Sequence, residues 1–192
     1  MKDIESHPLQ PFIPPKSKLL MLGSFPPKIE RWSMNFYYPN FQNDMWRIFG
    51  IVYFNNKEFF LNPDKKSFNK EELEKFLIEK HIAISDTAVS VIRHKDNASD
   101  NFLEVVESRD IKQLLEKIPQ CKAIVTTGQK ATETFTKTMD IESPKIGEFS
   151  QFVFNNNQMR FYRMPSSSRA YPLKLEKKAE IYKDMLYQIS MI

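Results

Sequence analysis

The chain has 192 residues, of which 41% are hydrophobic and 27% are charged, and this balance is typical of an ordinary globular protein. Its length is sufficient for one domain with a substantial core. A formal net charge of only +4 tolerates an anionic partner without demonstrating one. Cys121 is the only cysteine, which excludes a disulfide framework and a thiolate cluster for zinc or iron–sulfur.

The N-terminal region predicts an extended arm rather than a targeting segment. No run of the sequence is long and apolar enough to cross a membrane, and the N-terminus lacks the apolar stretch of a signal peptide. We therefore expect a cytoplasmic protein. Residues 1–17 carry four prolines and predict an arm laid over the domain, which itself spans residues 18–192.

The first elements of the domain are a strand and two helices. Residues 18–22 predict a buried strand, and residues 41–49 predict a helix for which Asn40 is an N-cap candidate. Residues 69–80 predict a second helix, with Asn69 as its cap and an apolar face at helical spacing.

Strands and helices continue to alternate toward the C-terminus. Further predicted strands cover residues 81–85, 122–127, 151–154 and 159–164. Further predicted helices cover residues 108–118, 129–137 and 174–189. Three asparagines between the last two strands indicate a hairpin or a bent strand pair. The alternation indicates an α/β protein with a mostly parallel sheet and helices on both faces.

Polar residues collect where the predicted strands end, and in a parallel sheet these ends lie along one edge. They are residues 23–26, 86–87, 128–129 and 165–169. The edge contains neither a glycine-rich phosphate loop nor a GxGxxG motif, which argues against a nucleoside triphosphate or dinucleotide site. Residues 36–46, rich in aromatic rings and amides, suit a planar polar ligand such as a nucleobase.

The distribution of charge and the positions of the histidines limit the kinds of ligand and reaction that fit this sequence. Residues 159–184 contain seven basic and three acidic residues, as a phosphate-binding face would. For the lysines of the last predicted helix alone, a solvated helix surface is the favoured interpretation. His7, His81 and His94 have no metal-ligand spacing and form no recognisable triad with a serine or cysteine. We expect neither a metal nor a cofactor.

Three segments, in order, resemble the motifs of one enzyme family. They are residues 23–27 (Gly-Ser-Phe-Pro-Pro), 37–46 (Tyr-Tyr-Pro-Asn-Phe-Gln-Asn-Asp-Met-Trp) and 164–169 (Met-Pro-Ser-Ser-Ser-Arg). The pattern resembles the uracil-DNA glycosylase superfamily, closest to its mismatch-specific and hypoxanthine-DNA glycosylase branches. Residues 82–86, Ser99-Asp100 and residues 127–131 also fit the middle region of that family. The resemblance covers roughly residues 18–189.

The resemblance implies a fold and an activity. The implied fold is a three-layer αβα sandwich with a short, mostly parallel central sheet. The implied activity is that of a monofunctional DNA glycosylase, which hydrolyses the N-glycosidic bond of a flipped-out deaminated base, uracil or hypoxanthine, in base-excision repair. The implied partner is DNA with a damaged or mismatched base, and the enzyme is implied to be a monomer that needs no metal.

The resemblance also implies which residues contact the base. Tyr38 occupies the stacking position of the family. Asn43 either reads the edge of the base or ties down the loop at the start of the helix. The backbone N–H groups of Ser24 and Phe25 face the base oxygen, where negative charge develops as the bond breaks.

The residue expected to activate water is where this chain departs from the mismatch-specific branch. The mismatch-specific branch has a water-positioning Asn where this chain has Phe25, and a phenylalanine cannot orient water. Asn40 in the Tyr-rich loop and Asp86 at a strand end are the catalytic candidates. Asp86 also fits a second role, which is to cap the loop that follows its strand.

DNA contacts are implied for the last segment. Ser166, Ser167 and Ser168 fit hydrogen bonds to the phosphates that flank the lesion, and Arg169 fits either the gap left by the flipped base or the backbone. A polar turn after a strand is the alternative for any single serine. Two other functions stay open, a catalytically silent nucleic-acid or modified-base binding protein on the same fold and an unrelated α/β hydrolase acting on a soluble nucleotide.

Overall fold

The computed structural model describes residues 3–94 and 100–192, so Ser99 lies outside the described residues. The strands, in chain order, are β1 (Ile4–Ser6), β2 (Leu19–Gly23), β3 (Ile82–Asp86), β4 (Ala88–Arg93), β5 (Leu103–Ser108), β6 (Ala123–Thr127), β7 (Phe149–Phe154) and β8 (Asn157–Met164). The α-helices are α1 (Met45–Phe54), α2 (Lys70–Glu79), α3 (Ile111–Lys117), α4 (Gln129–Met139) and α5 (Leu175–Gln188). Within these described ranges, no helix combines the length and the apolarity that a membrane span needs.

The central sheet has five strands in the order β3–β2–β6–β8–β7. The pairs β3–β2, β2–β6 and β6–β8 are parallel, whereas β7 and β8 form an antiparallel hairpin. Every residue of β2, β3 and β6 is buried, as expected for parallel strands covered on both faces. The predicted hairpin around residues 155–157 is confirmed.

The helices cover both faces of this sheet, so the chain forms three layers. Alternate residues of a strand point to opposite faces, and Leu19 and Met21 accordingly join one apolar cluster while Leu20 and Leu22 join another. The first cluster contains side chains of α1, α2 and α5, and the second contains those of α3 and α4. The predicted αβα sandwich with a mostly parallel sheet is confirmed.

Two predicted helix starts are wrong, and local hydrogen bonds give the reason. Helix α1 begins at Met45, so Asn40 is not its N-cap. The side-chain oxygen of Asn40 instead accepts from the backbone N–H of Gln42, and that of Asn43 accepts from Met45, which keeps the segment in turns. Helix α3 begins at Ile111 because residues up to Ser108 belong to β5. The Asn69 cap of α2 is confirmed, since its side chain accepts from the Glu72 N–H.

The structure contains a second, antiparallel sheet in the order β1–β4–β5, which is not predicted from the sequence. The N-terminal arm supplies its edge strand β1, which pairs with β4. The arm makes a further backbone pairing at Phe12, which exchanges hydrogen bonds with Ile84 of β3. A small apolar cluster of Phe25, Ala88, Val91 and Leu103 lies beside this sheet. The arm is therefore fastened to β3 and β4 at the end of the central sheet.

Candidate active site

A cavity of about 580 Å³ lies at the carboxyl edge of the central sheet. It is formed by the loops that follow β2, β6 and β8 together with the end of β3. All ten predicted site residues line it, namely Ser24, Phe25, Tyr38, Asn40, Asn43, Asp86, Ser166, Ser167, Ser168 and Arg169. The parallel strand order explains this convergence, because it brings the carboxyl ends of the strands to one edge.

Asp86 is the last residue of β3 and pairs directly with Gly23 on the neighbouring strand β2. A Cβ atom on residue 23 would be 2.3 Å from Asp86 Oδ1, so only glycine leaves room for the carboxylate there. The backbone N–H and side-chain hydroxyl of Thr87 both donate to the Gly23 carbonyl, at 2.9 and 3.1 Å. These contacts fix the position of Asp86 relative to the loop that carries Ser24.

His7 of the N-terminal arm is the partner of Asp86. Its Nε2 lies 2.8 Å from Asp86 Oδ2, and the two side chains are only 1% and 9% exposed. The imidazole also meets the Phe25 ring edge-to-face, with centroids 5.1 Å apart. No role for His7 is predicted from the sequence, because no local pattern marks a contact between residues so distant along the chain.

Asp100 is a second carboxyl group in the cavity wall. The Ser24 hydroxyl donates to its Oδ2 at 2.6 Å. Burial raises the pKa of Asp100, the Ser24 hydrogen bond opposes this shift, and the negative charge of Asp86 adds to it. Asp100 belongs to a segment that carries the family resemblance, but no function is predicted for it from the sequence.

Tyr38 lines the cavity with an uncommon backbone conformation. Its φ of 50° lies in the left-handed region, which bulky side chains rarely adopt. The ring packs edge-to-face against Trp46, with centroids 6.0 Å apart, and the Trp46 indole N–H donates to the Tyr37 carbonyl at 3.0 Å. The Tyr38 hydroxyl is buried and makes no hydrogen bond within 3.5 Å among the described residues, although the nearby Thr127 side chain opposes the rise of its pKa. Burial raises the pKa of this phenol well above its ordinary value, so it is neutral at physiological pH.

The side-chain oxygens of the two asparagines before α1 accept hydrogen bonds from backbone N–H groups of the same segment. Asn40 Oδ1 accepts from Gln42 N and Asn43 Oδ1 accepts from Met45 N, both at 2.9 Å. The NH₂ group is then the part of each side chain that is left to address a ligand. Both side chains are half-buried at the cavity wall.

A buried ion-pair network joins this loop to the serine loop of residues 165–169. The Asp44 N–H donates to the Ser167 carbonyl at 2.8 Å. Lys178 of α5 places its Nζ 3.2 Å from Asp44 Oδ2 and 2.8 Å from the Ser168 carbonyl. Arg169 contacts the other oxygen of Asp44 at 3.4 Å. Because the Lys178 side chain is only 1% exposed, the expected solvated surface is wrong for this lysine.

A second cavity of about 560 Å³ adjoins the first at Arg169. Its charged lining is mainly basic and consists of Arg47, Lys57, Lys65, Arg169, Lys174, Asp44 and Glu58. The acids are already engaged, Asp44 as described and Glu58 with Lys65 at 2.7 Å. Burial, followed by the charge of Arg169, lowers the pKa of the Arg47 guanidinium. We call this lining the basic groove, and its positive charge suits phosphate groups.

Metal ligation finds no support in the parts of the chain that the structure covers. Across residues 3–94 and 100–192, no three His, Cys, Asp or Glu side chains are grouped so that they could hold a metal ion.

The three-layer αβα architecture with a cavity at its sheet edge is a fold that solved structures share. Fourteen chains of solved structures match it. One is the solution NMR structure of a "putative Uracil DNA glycosylase" from Methanosarcina acetivorans. The match has a TM-score of 0.65 at 20% sequence identity and covers 98% of this chain and 99% of that one. At this identity the likeness establishes the shared fold. No family model matches the sequence, and no curated protein matches it.

Proposed function

We propose that the protein is a monofunctional DNA glycosylase that hydrolyses the N-glycosidic bond of a deaminated base, uracil or hypoxanthine, in base-excision repair. One observation carries the proposal. Three segments far apart in sequence, which together contain Tyr38, Asn40 and Arg169, form one cavity at the sheet edge. One solved protein that shares the fold is described as a "putative Uracil DNA glycosylase". The proposal includes a monomer that acts without a metal.

The cavity suits a base that has left the helix. Extruding a nucleotide from a duplex costs about a few kcal/mol, least for a mispaired base. Stacking on an aromatic ring returns roughly 1–3 kcal/mol, and among the rings of the cavity wall the proposal assigns this role to Tyr38. The free NH₂ group of Asn43 addresses the hydrogen-bonding edge of the base.

The reaction separates charge within the cavity. The bond from C1′ to the base nitrogen breaks, and its electron pair leaves with the base, which the N–H groups of Ser24 and Phe25 stabilise. Water adds to C1′ and transfers a proton to Asp86, with Asn40 orienting the water. The proton then passes to solvent, and the departing base takes one up, so the net reaction is hydrolysis.

The DNA backbone lies across the rim of the cavity in this proposal. Ser166, Ser167 and Ser168 donate hydrogen bonds to the phosphates that flank the lesion, and Arg169 fills the gap left in the stack. The basic groove adjoins the cavity at Arg169, and it provides a path for the phosphates of the same strand.

The test is excision from defined oligonucleotides. Purified protein is incubated with duplexes that contain U·G, U·A or hypoxanthine·T pairs and is then treated with alkali, which breaks the strand at abasic sites. We expect scission at the lesion for wild type, with and without EDTA, and its loss for Asp86→Asn. Mononucleosides should stay intact, and their cleavage would instead indicate a hydrolase for soluble nucleotides.

Phe25 favours a second candidate function, a catalytically silent protein that binds nucleic acid or modified bases. Its ring packs into the apolar cluster with Ala88 and Val91 and offers no group that orients water. Binding of lesion DNA without scission, at a large excess of protein, would support this candidate and contradict the first.

A further inference from the structure

We infer that His7 is a positioning residue of the site, whose Nε2–H holds the Asp86 carboxylate in the orientation that activates water. This inference rests on the proposed function, and it makes the N-terminal arm a part of the active site. The contact between Nε2 and Asp86 Oδ2, at 2.8 Å and nearly closed to solvent, is its starting point.

The surroundings of the imidazole favour a proton on Nε2. Nδ1 lies 3.1 Å from the Leu9 backbone N–H, from which it can accept a hydrogen bond. A neutral ring with its proton on Nε2 therefore accepts from Leu9 and donates to Asp86 at the same time. A doubly protonated ring would donate from Nδ1 to the Leu9 carbonyl, 2.9 Å away, and would keep the same bond to Asp86. In both states Nε2 carries the proton that Asp86 accepts.

The backbone on both sides of His7 is fixed, so the imidazole is a rigid support. The His7 N–H donates to the Val89 carbonyl at 2.7 Å, directly beyond the pairing of β1 with β4. Further along the arm, Phe12 and Ile84 exchange hydrogen bonds at 3.0 and 2.8 Å. The arm thus meets β4 before the histidine and β3 after it, and Asp86 ends β3.

The two oxygens of Asp86 have separate environments. Oδ2 accepts from His7, whereas Oδ1 lies against Gly23, where a Cβ atom would be only 2.3 Å away. Without the imidazole, the carboxylate would lose the contact that fixes its rotation about the Cβ–Cγ bond. Since a misplacement of about 1 Å can cost about 100-fold in rate, the loss should appear in the chemical step and not in DNA binding.

The activity test compares His7→Ala with His7→Gln under single-turnover conditions at saturating protein. The Gln side chain can place an N–H where Nε2–H stood, although it cannot ionise. We expect His7→Ala to excise about 100-fold more slowly with unchanged affinity for lesion DNA, and His7→Gln to stay within about tenfold of wild type. A full rate for His7→Ala, or equal losses in both variants, would overturn the inference.

A matched variant separates positioning from simple attachment of the arm. Phe12→Ala removes a ring that packs edge-to-face on Phe36 at 5.4 Å, and residue 12 does not line the cavity. This change loosens the arm without touching Asp86. We expect it to lower the thermal midpoint while leaving the single-turnover rate near that of wild type. A rate loss as large as that of His7→Ala would show that only the attachment of the arm matters.

A measurement that does not depend on enzymatic activity tests this inference separately from the proposed function. Two-bond ¹H–¹⁵N NMR spectra of ¹⁵N-histidine-labelled protein report which ring nitrogen carries the proton, and the absence of a signal in His7→Gln assigns it among the three histidines. A proton on Nε2 of His7 supports the inference, and an unprotonated Nε2 overturns it. This measurement tests the contact between His7 and Asp86 even if the wild-type protein excises no base. That outcome would contradict the proposed function and with it the activation of water by Asp86, whereas an unprotonated Nε2 would contradict the contact itself.

Discussion

Tyr38 combines a strained backbone with a poorly satisfied hydroxyl. Its backbone lies in the left-handed region, which costs of order 1–3 kcal/mol for a residue other than glycine. Its hydroxyl is buried without a hydrogen-bond partner in the described part of the chain. The ring is nevertheless held firmly, edge-to-face on Trp46. A role in stacking a flipped base accounts for both features, because only the ring face is then needed.

Truncating Tyr38 should slow excision without changing nonspecific DNA binding. Loss of a stacking interaction of about 1–3 kcal/mol predicts a rate about 5- to 150-fold lower for Tyr38→Ala. Tyr38→Phe is the matched control and should keep the wild-type rate, since it retains the ring and removes only the unpartnered hydroxyl. Single-turnover excision and binding to undamaged duplex measure the two effects. A fully active Tyr38→Ala would contradict the stacking role.

Replacing Asp100 with a neutral side chain should stabilise the folded protein by an amount that depends on pH. Burial raises its pKa, so the folded protein holds this proton more tightly than the unfolded chain. Ionising Asp100 therefore costs folding free energy, a cost that is absent below the unfolded pKa and complete above the folded one. Asp100→Asn removes the cost and keeps an oxygen that can accept from Ser24. In urea titrations we expect the stability gain of the variant over wild type to grow as the pH rises from about 4, near the unfolded pKa of an aspartate, toward neutral. A gain that shrinks over this interval would contradict the sign.

At the scale of elements, helix α5 contacts the site through the buried ammonium group of Lys178. Lys178 connects the helix to Asp44 and to the serine loop, so it aligns both walls of the cavity. Removing one partner of a buried pair costs about 3–5 kcal/mol. We expect a loss of this size in the unfolding free energy of Lys178→Met, measured by urea denaturation.

Two comparisons sharpen that prediction. Asp44→Asn combined with Lys178→Met should recover part of the loss, because the buried carboxylate that lacked its lysine is then gone. Lys177→Met is the matched control on the exposed side of the same helix and should unfold close to the wild-type midpoint. Equal midpoints for Lys177→Met and Lys178→Met would mean that the buried network stabilises nothing.

The sequence predicts the parallel strands of the central sheet well because their signal is local. Strands buried on both faces are continuous apolar runs, and each such run here is followed by a polar loop that reaches the cavity. Strands β1, β4 and β5 carry no comparable signal, since they are partly exposed and β1 pairs with β4 from a distant part of the sequence. The contact of His7 with Asp86 is a consequence of that pairing and was equally invisible.

Helical periodicity contains one signal that the sequence analysis did not use. Lys178 lies three residues after Leu175 and four before Tyr182, so the spacing that puts these two on the apolar face puts the lysine there as well. A lysine on a buried face requires an anionic partner. The identity of that partner, Asp44, depends on how two loops meet and cannot be read from spacing.

At the scale of the whole molecule, the cavity and the basic groove meet at Arg169. If DNA phosphates follow the groove, each lost contact should weaken binding to any sequence and reduce the salt dependence by about one counterion. We expect this for Lys57→Ala, and for Arg169→Ala because its guanidinium lines the groove as well as the cavity, measured as the slope of log affinity against log salt. Lys112→Ala, an exposed lysine on α3 at the opposite face of the sheet, is the control and should leave the slope unchanged. Unchanged slopes in all three variants would place the DNA elsewhere.

The most direct test of the account is the structure of the protein in complex with DNA. A suitable ligand is a duplex that carries 2′-fluoroarabinouridine opposite guanine, because fluorine at C2′ makes the N-glycosidic bond resist cleavage. The account predicts an extrahelical uracil inside the cavity, with its ring on Tyr38 and Arg169 beside the gap in the stack. A uracil that stays paired within the duplex, or that binds outside this cavity, would contradict it.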